Sequence, residues 1–96
     1  MAKFKHYEVT LVTGTAQPLT SVANRAYIQQ AIINNDNQNA FYIGDSSVTT
    51  SSYGRKCAAG GAERLGPFSG EGPIATDEVY FLGTTADVVH VLAVLH

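Results

Sequence analysis

Residues 39–48 read NAFYIGDSSV, and residues 78–92 read EVYFLGTTADVVHVL. In both stretches an apolar run of strand length ends in a glycine that is followed by small polar residues. Apolar runs bounded by Gly, Ser, Thr and Asp are typical of the strands and turns of compact all-β domains. The two stretches therefore predict a small β-sandwich, and neither contains a pattern typical of an enzyme site.

The length of the chain fits one domain that spans residues 1–96. At 96 residues and 10.2 kDa it has no room for a second core, and domains of this size often gain stability by forming oligomers. Cys57 is the single cysteine, so an internal disulfide is excluded. Beside Ala58, Ala59 and Gly60 it is interpreted as a small buried side chain rather than a nucleophile.

Charge is scarce in this sequence. Charged residues make up 15% of the chain, against an average of about 25%, and Gly, Ser, Thr, Asn and Gln take their place. Uncharged polar surfaces suit contact with other proteins, because burying ions costs much more free energy. A net charge of −2 argues against nucleic-acid binding. We find no signal peptide and no run long enough to span a membrane, so synthesis in a cytoplasm is expected.

The remaining pattern predicts roughly six to eight short antiparallel strands, arranged as a sandwich or jelly roll. Residues 4–12 alternate so that Tyr7, Val9 and Leu11 face the core. Residues 24–33 fit a helix or a strand, and the β-branched isoleucines favour the strand. Residues 46–76 form a long Gly/Ser-rich loop region that could contain strands at 48–51 and 62–65.

The last strand carries the clearest sign of assembly. Residues 78–82 and 88–95 are predicted to form a terminal hairpin. In its second strand Val89, Val91, Ala93 and Leu95 share one face, and the other face is also apolar. A strand that is apolar on both faces is central in a sandwich or meets a neighbouring subunit. The residues predicted to form an oligomer interface, in a dimer or trimer, are Val88, Leu92 and Val94.

Catalytic and metal-binding patterns are weak. His6, His90 and His96 are not spaced as metal ligands, and no cofactor is expected. A calcium site is the less favoured interpretation of the acidic side chains Asp45, Glu63, Glu71, Asp77 and Glu78. Core packing is favoured over a sugar-binding platform for Tyr42, Tyr80 and Phe81. Exposed aromatic side chains near cations are typical of interfaces, and the residues predicted to contact a partner are Tyr53, Arg55, Lys56, Arg64 and Phe68.

These residues also carry a resemblance to a family. FYIGDSSVTTSSYG, followed by a Gly-rich loop and VYFLGTTADVVHVLAV, resembles small virion structural proteins of tailed bacteriophages. In those proteins a strand ending in Gly-Asp-Ser-Ser-Val precedes a late strand ending in Gly-Thr-x-x-Asp, and a Val-rich strand closes the chain. The run Cys57-Ala58-Ala59-Gly60-Gly61-Ala62 departs from the pattern, where a shorter turn is expected.

The resemblance implies a capsid decoration (cement) protein, or a head-fibre or tail accessory module, without catalytic residues. The leading hypothesis is a decoration protein on the outer surface of the major capsid protein lattice, located in the virion and holding the shell by non-covalent bridging. Two other classes stay open. One is a host-attachment jelly roll that binds carbohydrate through Tyr53 or Tyr42, and the other is a small cupin-like enzyme that would need clustered metal ligands.

Overall fold

The computed structural model describes residues 3–67 and 72–96. Within these residues the chain is almost entirely β-structure, and each strand coincides with an alternating or continuously apolar segment. The strands are β1 (Lys3–Thr10), β2 (Gln17–Pro18), β3 (Tyr27–Asn34), β4 (Phe41–Gly44), β5 (Arg55–Cys57), β6 (Ala62–Leu65), β7 (Ile74–Ala75), β8 (Tyr80–Leu82) and β9 (Val88–Leu95). Two 3₁₀ turns, Val22–Asn24 and Thr76–Glu78, lie between strands. The prediction of a small all-β domain is confirmed.

Two antiparallel sheets form a sandwich-like arrangement. Sheet 1 has the strand order β1-β9-β3-β6, with β7 also paired to β3, and sheet 2 has the order β2-β8-β4-β5. The core lies between the sheets, since buried side chains of both contribute to one apolar cluster. At its centre the rings of Phe41 and Phe81 meet edge to face, with centroids 6.0 Å apart and planes at 88°. Edge-to-face contact is a favoured geometry for buried aromatic rings.

The prediction that residues 78–82 and 88–95 form a terminal hairpin is wrong. β8 pairs with β2 and β4 in sheet 2, whereas β9 pairs with β1 and β3 in sheet 1. The segment between β8 and β9 connects the two sheets. It is hydrogen-bonded to the residue that follows β1: Leu11 N donates to Asp87 O at 2.8 Å, and Ala86 N donates to Leu11 O at 3.1 Å. The apolar faces of β8 and β9 are therefore buried against opposite sides of the core.

The ambiguous segment is a strand, as favoured, and its irregularity explains the ambiguity. A β-bulge between Ile28 and Gln30 shifts the register of β3 against β9. As a result Ile28, Ala31 and Ile33 are all buried, at spacings of three and two residues. The extra residue of a bulge interrupts the two-residue period of a strand and leaves Ile28 and Ala31 three residues apart, a spacing that also occurs on a helix face.

The long loop region contains more structure than expected. The predicted strand at 62–65 is confirmed as β6, but the one at 48–51 is wrong. There the chain turns back, with Thr49 N donating to Ser52 O at 2.7 Å, and the next strand is β5. A turn forms because Thr49 Oγ1 also accepts from the backbone N–H of Ser52 at 2.8 Å, a local bond that competes with strand pairing.

A buried asparagine organises the loop between β3 and β4. The side chain of Asn35 is fully buried, and its Nδ2 donates to the carbonyl oxygens of Asn39 at 2.9 Å and Cys57 at 3.1 Å. Its Oδ1 accepts from the backbone N–H of Asn37 at 3.0 Å and from Asn37 Nδ2 at 2.8 Å. Asn37 in turn bonds both backbone groups of Val88. The loop thus joins both sheets through side-chain amides.

Candidate functional site

The residues predicted to contact a partner fall on different surfaces of the sandwich. Tyr53 and Lys56 lie on the outer face of sheet 2, where β4–β5 pairing places Lys56 directly opposite Tyr42. The rings of Tyr42 and Tyr53 are 4.8 Å apart at 53°, and Lys56 Nζ is 5.7 Å from the centroid of the Tyr42 ring. We call these three residues the aromatic cluster. Tyr53 is 46% exposed, and Tyr42, predicted as core, is only half-buried and packs on Tyr53 instead.

A polar hollow of about 200 Å³ borders the aromatic cluster. It is lined by the β4–β5 turn, whose lining residues are Gly44, Asp45, Ser47, Val48, Ser52, Tyr53 and Gly54. Asp45 Oδ1 accepts from the backbone N–H of Ser47 at 2.9 Å and from its hydroxyl, and these bonds lower the pKa of the Asp45 carboxyl. The Asp-Ser-Ser motif therefore shapes the turn that holds Tyr53 beside the hollow.

Arg55 and Arg64 lie at the open edge of the sandwich, away from the aromatic cluster. Arg55 shares the inward side of β5 with Cys57, and Arg55 Nη1 is 2.7 Å from Glu63 Oε2 on β6. This ion pair lies at a mostly apolar groove of about 290 Å³ between the two sheets, and Arg64 is at its rim. Phe68, the fifth predicted contact, lies outside the described residues. The four described residues of the predicted set therefore do not form one site but are divided between two surfaces near β5 and β6.

The predicted oligomer interface lies on the outer face of sheet 1. Leu92 and Val94 are joined there by two residues that the sequence analysis did not single out, Phe4 from β1 and Ile32 from β3. Phe4 is 67% exposed, Ile32 44% and Leu92 45%. We call Phe4, Ile32, Leu92 and Val94 the apolar stripe. Simple alternation puts Ile32 on the same face as the buried Ile28, and it is the β-bulge between Ile28 and Gln30 that turns Ile32 outward. The pairing of β9 with both β1 and β3 then brings the four residues together.

Val88 is separated from the apolar stripe. It is half-buried at the opposite end of β9, with His90 between it and Leu92. Its backbone N–H donates to Asn37 Oδ1 at 3.1 Å, and its carbonyl oxygen accepts from Asn37 Nδ2 at 2.8 Å. The main structural role of this position is thus to attach the β3–β4 loop to sheet 1.

Three of the acidic side chains considered for calcium, Asp45, Asp77 and Glu78, line one hollow of about 390 Å³, but they are not grouped closely enough to hold a metal ion. Asp77 is bound by Arg25 in a two-pronged ion pair, Nε to Oδ1 at 2.7 Å and Nη2 to Oδ2 at 2.9 Å, which lowers the pKa of the Asp77 carboxyl. Glu63 is held by Arg55, and Glu71 lies outside the described residues. Within residues 3–67 and 72–96, no three His, Cys, Asp or Glu side chains are grouped so that they could hold a metal ion.

The histidines and the cysteine occupy separate positions. His90 Nδ1 is 3.4 Å from Glu8 Oε1 on the outer face of sheet 1, and His6 lies opposite Leu92 in the neighbouring row. Cys57 is buried as expected, and burial raises the pKa of its thiol, with a smaller contribution from Glu63. A raised thiol pKa disfavours the thiolate that a nucleophile requires.

Packing leaves little room for a side chain at the glycines that end the two apolar runs, and least at Gly83. A Cβ added at Gly83 would lie 2.6 Å from Leu11 Cδ1 and 3.0 Å from Phe41 Cβ, inside the core. A Cβ at Gly44 would lie 3.1 Å from the Cβ and Cγ2 atoms of Val48. The motifs that carry the resemblance to phage proteins thus form corners of the sandwich.

Comparisons with known proteins give no relative for this chain. No family model matches the sequence, and no curated protein or solved structure is significantly similar to it. In the part of the chain that the structure describes, no helix is long and apolar enough to cross a membrane.

Proposed function

We propose that this protein is a bacteriophage capsid decoration (cement) protein. It binds the outer surface of the major capsid protein lattice and stabilises the shell by non-covalent bridging. The observation that supports the proposal is that two exposed surfaces of interface-like composition lie on opposite sheets. They are the aromatic cluster on sheet 2 and the apolar stripe on sheet 1. A small domain with two such faces can contact two neighbours at once, which is what bridging requires.

The aromatic cluster is the proposed contact with the shell. Tyr and cationic side chains together provide apolar area, hydrogen-bonding groups and a positive charge, the combination found at the energetic centres of protein interfaces. Tyr53 lies in the β4–β5 turn and Lys56 lies in the adjoining strand β5, and both side chains are exposed. Arg64 lies on the outer face of sheet 1 and is not part of this surface. Each contact is small, so repetition over a lattice supplies the strength through avidity.

The first test is the number of copies of this protein in purified virions, measured by quantitative mass spectrometry against the major capsid protein. A ratio near one copy per one or a few capsid subunits is expected. A handful of copies per particle would assign the protein to a fibre or tail, and its complete absence from the particle would refute the virion assignment.

The second test maps the contact by co-sedimentation with shells that lack the protein. Tyr53→Ala and Lys56→Ala are expected to reduce binding, whereas Val22→Ala, which alters an even more exposed apolar residue in a 3₁₀ turn, is expected to have no effect. Unchanged binding by both cluster variants would exclude the aromatic cluster as the shell contact. Circular dichroism of each variant controls for folding.

A carbohydrate-binding, host-attachment module is the second candidate function. It is favoured by the position of Tyr53 beside the polar hollow of about 200 Å³, because sugars bind to aromatic faces flanked by hydrogen-bonding groups. Binding to a glycan array that Tyr53→Ala abolishes would support this candidate. Absence of glycan binding together with high copy number in the virion would leave decoration as the function.

A further inference from the structure

The outer face of sheet 1 has an ordered arrangement of side chains. Strand pairing aligns His6, Leu92, Ile32 and Arg64 in one row that crosses β1, β9, β3 and β6. The next row contains Glu8 and His90. The centre of the face is apolar, with an arginine at the β6 margin and a carboxylate at the β1 margin.

We infer that a second copy of this chain covers the apolar stripe. The two copies are related by a two-fold axis that lies between their facing sheets, parallel to the strands and midway between β9 and β3. Such an axis places opposite edges of the two sheets over each other, so that β6 of one copy lies over β1 of the other. Leu92 then packs against Ile32 of the second copy, and Arg64 lies over the margin that carries Glu8. Each contact occurs twice, because a two-fold interface repeats every contact.

Charge selects this axis over the alternative. A two-fold axis running across the strands would superpose β6 on β6 and β1 on β1, placing Arg64 near Arg64 and Glu8 near Glu8. Among residues 3–67 and 72–96, no carboxylate lies within ion-pair distance of Arg64, and the Glu8 side chain is 62% exposed. Both charges are therefore accessible for pairing between copies, and like charges facing each other would oppose the alternative.

The dimensions of the face allow the contact. Packed sheets stand about 10 Å apart, and Glu8 is displaced from the row of Arg64 by two residues, about 7 Å, a distance that an arginine side chain can reach. Three strands of eight residues and one of four cover roughly 450 Å² per copy. Two copies together bury about 900 Å², just below the roughly 1,000 Å² expected of a stable specific interface. A weak dimer is expected, which a lattice of binding sites would strengthen.

The inference extends the proposed function by naming what one of the two faces binds. It is tested on the isolated protein, so its failure can be distinguished from a failure of shell binding. Sedimentation velocity between about 1 µM and about 1 mM should show the 10.2 kDa monomer converting to a species of twice that mass. Leu92→Lys should remain monomeric throughout, while Val22→Lys, a matched exposed apolar residue outside sheet 1, should dimerise as the wild type does.

Charge exchange tests the axis. At about pH 7.5, where most histidine side chains are neutral, Arg64→Glu and Glu8→Arg should each raise the dissociation constant about tenfold, because two pairs are reversed per dimer. The double variant should return to within about threefold of the wild type. Within one chain the two positions are three strand spacings apart, about 14 Å, so a recovery must come from contacts between copies.

Three outcomes would overturn the inference. A wild-type protein that stays monomeric at the highest concentration would show that the face does not bind a second copy, and loss of shell binding by Leu92→Lys would then assign it to the shell. A trimer would exclude the two-fold arrangement. A double charge variant as weak as the single variants would exclude the pairing of Arg64 with Glu8.

Discussion

Replacing Asn35 with alanine should destabilise the fold more than its position in a loop suggests. The substitution removes the donor from two carbonyl oxygens, those of Asn39 and Cys57, and the acceptor for two bonds from Asn37. The buried Cys57 carbonyl left unpaired costs about 1–3 kcal/mol, and each of the three part-buried bonds, one to Asn39 and two to Asn37, about 0.5–1.5 kcal/mol. We expect the free energy of unfolding to fall by about 4 kcal/mol. This value lies in the lower half of the summed costs, because the half-buried Asn37 can bond to water.

This loss is a large part of the free energy of unfolding, which for a domain of this length is roughly 5–14 kcal/mol. It should lower the melting temperature by about 15–30 °C. Thermal and urea unfolding followed by circular dichroism measure both quantities. Asn24→Ala, at an exposed asparagine whose side chain caps nothing in its 3₁₀ turn, is the matched control and should change stability by less than about 0.5 kcal/mol. A loss below about 1 kcal/mol for Asn35→Ala would refute the reasoning.

Asn35→Asp tests the contribution of the hydrogen bonds to stability separately from the contribution of side-chain packing. The introduced carboxyl keeps the shape of the side chain but turns an acceptor toward the carbonyl oxygens of Asn39 and Cys57. Its pKa in the folded protein should be raised, so the variant should be least stable at neutral pH and should regain stability as the pH falls through that pKa. Equal stability of the Asp and Asn proteins at neutral pH would show that these two hydrogen bonds contribute nothing.

Three further predictions follow from other parts of the structure. Gly83→Ala should destabilise the fold by about 1–3 kcal/mol in urea unfolding, because its Cβ would lie 2.6 Å from a core methyl carbon. Gly72→Ala, whose Cβ would have no atom of residues 3–67 and 72–96 within 4 Å, should be nearly neutral. Arg25 holds the pKa of the Asp77 carboxyl below its usual value. The free energy that this carboxylate contributes to folding should therefore be fully present above the pKa of the carboxyl in the unfolded chain and lost as the pH falls through its pKa in the folded protein. Asp77→Asn should remove this part of the decrease in stability at acidic pH. Cys57 is fully buried with a raised thiol pKa, so a thiol reagent at neutral pH should label it only after the protein is unfolded, and rapid labelling of the native protein would contradict its burial.

Local patterns made much of the architecture predictable. Alternation placed Tyr7, Val9 and Leu11 toward the core, and the last strand showed its two apolar faces. β6 was also predictable from its sequence. These features depend on the two-residue period of a strand and on the intrinsic preferences of turn residues, which are properties of a few neighbouring residues.

The bulge in β3 and the turn after Asp45 were harder to predict. The bulge inserts one residue into the alternation, so the buried positions of β3 no longer follow a single period. The turn at Thr49 and Ser52 replaces a strand by local side-chain bonds. Both depend on which hydrogen bonds prevail, and the composition of the segment is compatible with either result.

The sequence by itself determined the fold class, the burial of Cys57 and the apolar outward face of β9. Only the tertiary structure decided that β8 and β9 lie in different sheets and that Phe4 and Ile32 join Leu92 and Val94. It also decided the partners of two neighbouring residues of β5, Glu63 for Arg55 and Tyr42 for Lys56. The reason is that strand alternation specifies which side chains share a face of one strand. The neighbours of that strand are specified by backbone hydrogen bonds and core contacts between residues far apart in the chain.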